Sequence, residues 1–106
     1  MGVFSIAAYR PRKGKETLLL DAVTDHMKVL RAENLATNRP AHVMRAEDGT
    51  IVEVFEWKSD EAIEQAHANP EVAKLWERFN EACEYVPLVT VPECSELFAN
   101  FEPLDV

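Results

Sequence analysis

Glycine is scarce in this chain, with three among 106 residues. A loop that cradles phosphate needs glycines at fixed spacing so that backbone amides can close around the anion. No such cluster occurs, which removes kinase and dinucleotide-binding readings. Cys83 and Cys94 are the only cysteines, too few for a disulfide framework and not at metal-ligand spacing. Both are expected to be reduced, buried thiols, a single bridge between them being the alternative. The histidines His26, His42 and His67 form no HxH or HxxxH pair, so a metal site would need ligands from three separate elements; no metal and no other cofactor is expected. Positive charge is short as well: 11 Lys and Arg stand against 19 Asp and Glu, a net charge of -8. That balance disfavours a phosphate-neutralising surface, so nucleic acid is not an expected partner. The one basic cluster, Arg10, Arg12, Lys13 and Lys15, reads as a solvated loop. No apolar run approaches the roughly 20 residues that span a bilayer, and the basic residues follow the apolar VFSIAA instead of preceding it, the reverse of a secretory signal. A cytoplasmic protein without membrane association is expected. Ser5, Ser59 and Ser95 lack the context of a nucleophile elbow.

What is present is periodic. A chain of this length is expected to form one domain over residues 1–106, burying roughly 60 to 70% of the surface its unfolded form exposes. Residues 3–9, VFSIAAY, are apolar on both alternating faces, with Val3, Ala7 and Tyr9 on one and Phe4, Ile6 and Ala8 on the other, the pattern of a central strand covered on both sides. After PRKG, apolar residues at 19, 20, 23, 27 and 30 predict an amphipathic helix from Lys15 to about Glu33, with Asn34 as its stop. Residues 40–46 and 50–57 flank Asp48-Gly49, a favoured two-residue hairpin turn. That register sets Ala46 opposite Ile51, Met44 opposite Glu53 and His42 opposite Phe55, with Trp57 continuing the face; Val43, Val52 and Val54 line the other. Ser59 or Asp60 can cap a short helix through Ala68. Asn69-Pro70 ends it and starts the next, from 70 to about 84, whose stripe is Val72, Leu75, Trp76, Phe79 and Cys83. One further strand is expected within YVPLVTVPECSELFANFEPL. The order strand, helix, strand, strand, helix, strand is the ferredoxin-like split βαβ pattern, an α+β fold with an antiparallel sheet.

This order, together with FEWKSDEA followed by AHANPEV, resembles the antibiotic-biosynthesis-monooxygenase-like (ABM-like) family of dimeric α/β barrels over roughly residues 3–84. The resemblance implies a homodimer whose sheets close face to face into a barrel, and a pocket in each protomer between sheet and helices. The large apolar groups on both faces of 3–9 and 50–57 agree independently with a dimer, since the helices of one protomer are too few to cover both. The family includes cofactor-independent monooxygenases of polycyclic phenols, quinol oxidases, haem-degrading enzymes and members without known activity. Haem cleavage is disfavoured: the Asn, Trp and His of that branch align with Tyr9, Ala66 and Leu75 or Trp76.

The expected function is therefore small-molecule binding by a dimeric barrel, with a cofactor-independent oxygenase or oxidase of a small phenol or quinol as the alternative. Candidate catalytic groups are His42, Glu53 and His67. A glutamate among Met, Phe and Trp has its charged form disfavoured by desolvation unless a donor is near, and the two-residue turn brings His42 close to it, a pair able to take a proton from a phenol. The bland reading has Glu53 at a sheet edge in solvent and His42 merely packed. His67 either lines the pocket or satisfies carbonyls at a helix end. His26 is read as boundary packing or as a pocket group. Tyr9, Met44, Phe55 and Trp57 are candidate walls for an aromatic or quinol ligand, although Trp57 and Trp76 also suit the core.

Overall fold

The computed structural model describes residues 2–106. Five strands, β1 (Val3–Pro11), β2 (His42–Arg45), β3 (Ile51–Trp57), β4 (Cys83–Val86) and β5 (Glu102–Leu104), form one sheet in the order β4-β1-β3-β2-β5. Every pairing is antiparallel. The first four strands, with α1 (Glu16–Ala32), α2 (Asp60–His67) and α3 (Pro70–Ala82), give the ferredoxin-like arrangement that the sequence predicts; β5 is added at the β2 edge. Among the described residues no helix is long and apolar enough to cross a membrane.

Local chemistry sets the helix ends. Asn34 takes φ 59°, while the Asn34 and Leu35 amides donate to the carbonyls of Arg31 and Leu30 at 3.0 and 2.8 Å. This is a Schellman stop, and it sets Leu35 in the core beside Leu30. Ser59 caps α2 by accepting from the Ala62 amide at 3.1 Å. Asn69 caps α3 by accepting from the Glu71 and Val72 amides at 2.9 and 3.1 Å, with Pro70 at the first helical position, where no amide is missed. α3 ends at Ala82, two residues before the expected limit of about 84, and Cys83 opens β4 instead of closing the helix.

The hairpin differs from expectation in one residue, with large effect. Ala46 and Thr50 close a three-residue loop: the Ala46 amide donates to the Thr50 carbonyl at 2.8 Å and the Gly49 amide to the Ala46 carbonyl at 3.0 Å. Gly49, at φ 92°, takes the left-handed position that this loop requires. The register becomes His42 opposite Val54, Val43 opposite Glu53 and Met44 opposite Val52. Because side chains alternate along a strand, this one-residue slip moves all of β2 to the other face relative to β3.

The helices cover the face that carries Tyr9, Val43, Ile51, Phe55 and Trp57. The opposite face is only half covered. Two 3-10 turns, Leu88–Thr90 and Pro92–Ser95, lay Leu88 and the buried Val91 against Ala8, Ala46 and Val52. Phe4 and Ile6, at the start of β1, stay 60% and 52% exposed. Cys83 is buried and Cys94 exposed, both as free thiols, so neither the bridge nor the burial of Cys94 is found.

Candidate functional site

Antiparallel pairing of β1 with β3 sets Ser5 opposite Phe55 and Ala7 opposite Glu53, with Tyr9 two residues further along the same face. Above them α1 presents Leu19, Ala22, Val23, His26, Met27 and Leu30 as its buried stripe, and His26 is the one polar member. Between sheet and helices lies a cavity of about 490 Å³. Ser5, Tyr9, Phe55 and Trp57 form its floor; Ile63, His67, Trp76 and Phe79 form its roof, with His26 and Tyr85 in the walls. Its size is within the usual range for small-molecule sites.

A buried polar triad adjoins this cavity. Glu53 is fully buried, and its Oε1 accepts from the Tyr9 hydroxyl at 2.7 Å and lies 2.8 Å from His26 Nδ1. The assignment that satisfies all three groups has Glu53 accept twice and His26 carry its hydrogen on Nδ1, which leaves the Nε2 lone pair without a partner among the described residues. The Tyr9 hydroxyl is pushed well above the ordinary phenol value, first by burial and then by the adjacent Glu53 charge, so it remains a donor. The His26 ring is held edge-on by Phe55 and Phe79, at centroid distances of 4.9 and 5.2 Å. Burial also raises Tyr85 to about 12 and Cys83 to about 11. Among the described residues Glu53 Oε2 has no hydrogen-bond partner, and its side chain also borders a second cavity of about 470 Å³ between α1 and β2.

The structure sorts the residues singled out in the sequence. Tyr9, His26, Phe55, Trp57 and His67 all border the cavity, and Glu53 lies directly behind Tyr9 and His26. His67 borders the cavity; its Nδ1 donates to the Ile63 carbonyl, one turn back in α2, at 2.9 Å, and its ring meets Trp76 edge-on at 5.2 Å on the rim. Trp76 is half-buried in the cavity roof and not in the closed core. His42 and Met44 do not join the site. The three-residue loop places them on the opposite face, His42 exposed, bordering a groove formed with residues 99–106. The partner of Glu53 is thus His26 and not His42. The inward direction of His26 had a readable signal, since it falls at the 19, 22, 23, 26, 27, 30 spacing of the helix face that packs on the sheet; its partner did not. The three histidines lie on three different elements, and among the described residues no group of three or more His, Cys, Asp or Glu side chains is placed to hold a metal.

No protein-family model matches the chain, and no curated protein matches it. Among solved structures, that of Rv0793 from Mycobacterium tuberculosis is similar, with a TM-score of 0.64 over 81% of this chain and 89% of that one at 19% identity. The likeness is one of fold. It agrees with the α+β architecture implied by the FEWKSDEA and AHANPEV motifs, and the chemistry of the site has to be read from this chain's own residues.

Proposed function

We propose that the protein binds a small aromatic molecule of the phenol or quinol class in the cavity between its sheet and helices, and that it does so as a homodimer. The observation that carries the reading is the composition of the cavity: Tyr9, Phe55, Trp57, Trp76, Phe79 and Tyr85 surround a space of about 490 Å³ into which few polar groups converge. Aromatic faces and edges offer a flat ring both stacked and edge-on contacts. The homodimer follows from the uncovered half of the sheet. Phe4 and Ile6 stand on a flat strand face beside the half-buried Val54, and a contiguous apolar face of that kind favours association with a second copy over exposure to water.

A second reading, cofactor-independent oxidation of such a ligand, is favoured by the His26–Glu53 pair. With Nδ1 hydrogen-bonded to a carboxylate, His26 is oriented to take a phenol proton on Nε2, and the resulting imidazolium would lie 2.8 Å from Glu53 Oε1. The phenolate left in the cavity is the electron-rich species that reacts with oxygen. Tyr9, held as a donor, positions Glu53.

Titration of 1-naphthol against the fluorescence of Trp57 and Trp76, with oxygen uptake over a panel of hydroquinones and polycyclic phenols in parallel, tests both readings. Saturable quenching that is weakened in His67→Ala supports binding. Oxygen uptake that disappears in His26→Gln while naphthol still binds supports the oxidase. Absence of quenching across the panel would remove the ligand-binding reading.

A further inference from the structure

The cavity is bordered by Ile6 although the Ile6 side chain stands on the far face of the sheet, 52% exposed. Its backbone accounts for this. β4 pairs with β1 only from Ala8 to Pro11. The Arg12 amide donates to the Ala82 carbonyl at 2.9 Å, so Arg12, Arg10 and Ala8 aim their N–H and C=O groups at β4. Backbone groups alternate sides along a strand, and the same parity turns Ile6 and Phe4 toward that edge. There β4 has already ended. Pro87 carries no N–H, and the chain leaves the sheet into the 3-10 turn Leu88–Thr90. Among the described residues no other strand pairs with this edge of β1, and none of the backbone hydrogen bonds outside the strands involves Phe4 or Ile6. An open stretch of a central strand therefore runs along the mouth of an aromatic cavity.

Resting on the reading that this cavity holds a small aromatic molecule of the phenol or quinol class, we propose that the Ile6 N–H and C=O form its recognition edge, and that the preferred ligand of that class is a planar heteroaromatic that also carries an adjacent donor and acceptor, such as a lactam or an amino-substituted ring nitrogen. A phenol has one hydroxyl to offer, whereas the N–H and C=O of one extended residue point the same way and match a paired acceptor and donor. The ring plane then extends inward between Tyr9 and Trp76, and the far edge of the molecule meets His26 Nε2. Each unpaired backbone group at the mouth gains a partner, which fixes both the ligand's orientation and its preference.

The probes are 2-quinolone and N-methyl-2-quinolone, which share a ring system and differ in the single donor, with 1-naphthol as a ligand lacking the pair. Wild-type protein should bind 2-quinolone about tenfold more tightly than its N-methyl derivative by calorimetry, the size of one good hydrogen bond. Ile6→Pro deletes an outward-facing N–H, a substitution tolerated at a strand edge, and also trims the side chain on the bare face, so Ile6→Ala, which trims the same side chain and keeps the N–H, is its control. Ile6→Pro should remain folded, still bind 1-naphthol and lose the preference, and Ile6→Ala should keep it. Ser5→Pro, whose N–H faces β3, should unfold. Amide hydrogen exchange gives the same answer in wild-type protein: 2-quinolone should slow exchange at Ile6 and leave Ala7 unchanged. Equal affinity for the two quinolones alongside good binding of 1-naphthol overturns the recognition edge and leaves the cavity reading intact. Failure of all three probes overturns both. A slowly exchanging Ile6 amide in ligand-free protein would mean that this edge is already paired, and would overturn the inference whatever the fate of Ile6→Pro.

Discussion

The two faces of the sheet are built from alternate residues of the same strands and have opposite characters. Under the helices, Tyr9, Glu53, Phe55 and Trp57 are at most 6% exposed and enclose both an aromatic cavity and a charged group. On the other side, Ala8 and Val52 are covered by the tail through Val91, while Phe4 and Ile6 are bare. A polar triad survives on the first face because burial there is complete enough for each hydrogen bond to matter. The second face contains no comparable network at its bare end and is suited to a flat apolar contact. Odd-numbered positions of β1 and β3 thus carry the cavity and even-numbered ones the bare face.

The largest expected effect is on the closed face. Phe79 is about 1% exposed and packs against Tyr9, His26 and Tyr85, so Phe79→Ala should lower stability by about 3 to 5 kcal/mol. Urea unfolding should show a smaller loss for Trp76→Ala, whose ring is half-buried at the cavity; the reverse order would mean that Trp76, and not Phe79, is the more tightly packed ring of the cavity roof.

Next comes the bare face. Ile6→Asp places a charge at the centre of the proposed contact and should convert a dimer into a 12.0 kDa monomer with the fold retained. Sedimentation equilibrium at micromolar concentration reads this directly, and a wild-type protein that is already monomeric would show that the bare face is not a contact between copies.

The triad offers a finer contrast. Tyr9→Phe removes one of the two donors to Glu53 and should cost about 1 to 3 kcal/mol, the penalty for leaving a buried acceptor less satisfied. His42→Ala, on the exposed strand end, should stay within about 0.5 kcal/mol of wild type. Equal losses in the two variants would restore the register expected from a two-residue turn.

The smallest effect concerns pH. Tyr9, Tyr85 and Cys83 all hold their protons more tightly in the fold than their ordinary values of 10, 10 and 9. The stability these groups contribute is complete below those values, and it declines as pH rises through about 11 for Cys83 and about 12 for Tyr85. Thermal unfolding between pH 8 and about 11.5 should show a falling midpoint, shallower in Tyr85→Phe. In the native state at neutral pH a thiol reagent should titrate Cys94 and spare Cys83, whose side chain is buried.

Apolar spacing and local signals were enough to determine much of this protein: three helices, with a cap at Ser59 or Asp60 and a break at Asn69-Pro70, the Asn34 stop, a two-faced central strand, and hence the ferredoxin-like order. Each depends on contacts within a few residues, where side-chain chemistry and backbone geometry meet directly. The aromatic walls Tyr9, Phe55 and Trp57 were legible for the same reason, as odd-numbered neighbours on strands. Tertiary structure alone decided the rest. Asp48-Gly49 suits a two-residue and a three-residue loop alike, and the choice between them was made by which side of β2 the core accepts, Val43 inward and His42 outward. The tail from 86 to 106 lacks a period because it follows the surface of a sheet already formed, and its β5 exists only because β2 presents an edge. Glu53 acquired His26 as its partner across 27 positions of sequence; no local pattern encodes that distance, which arises from α1 lying across β3.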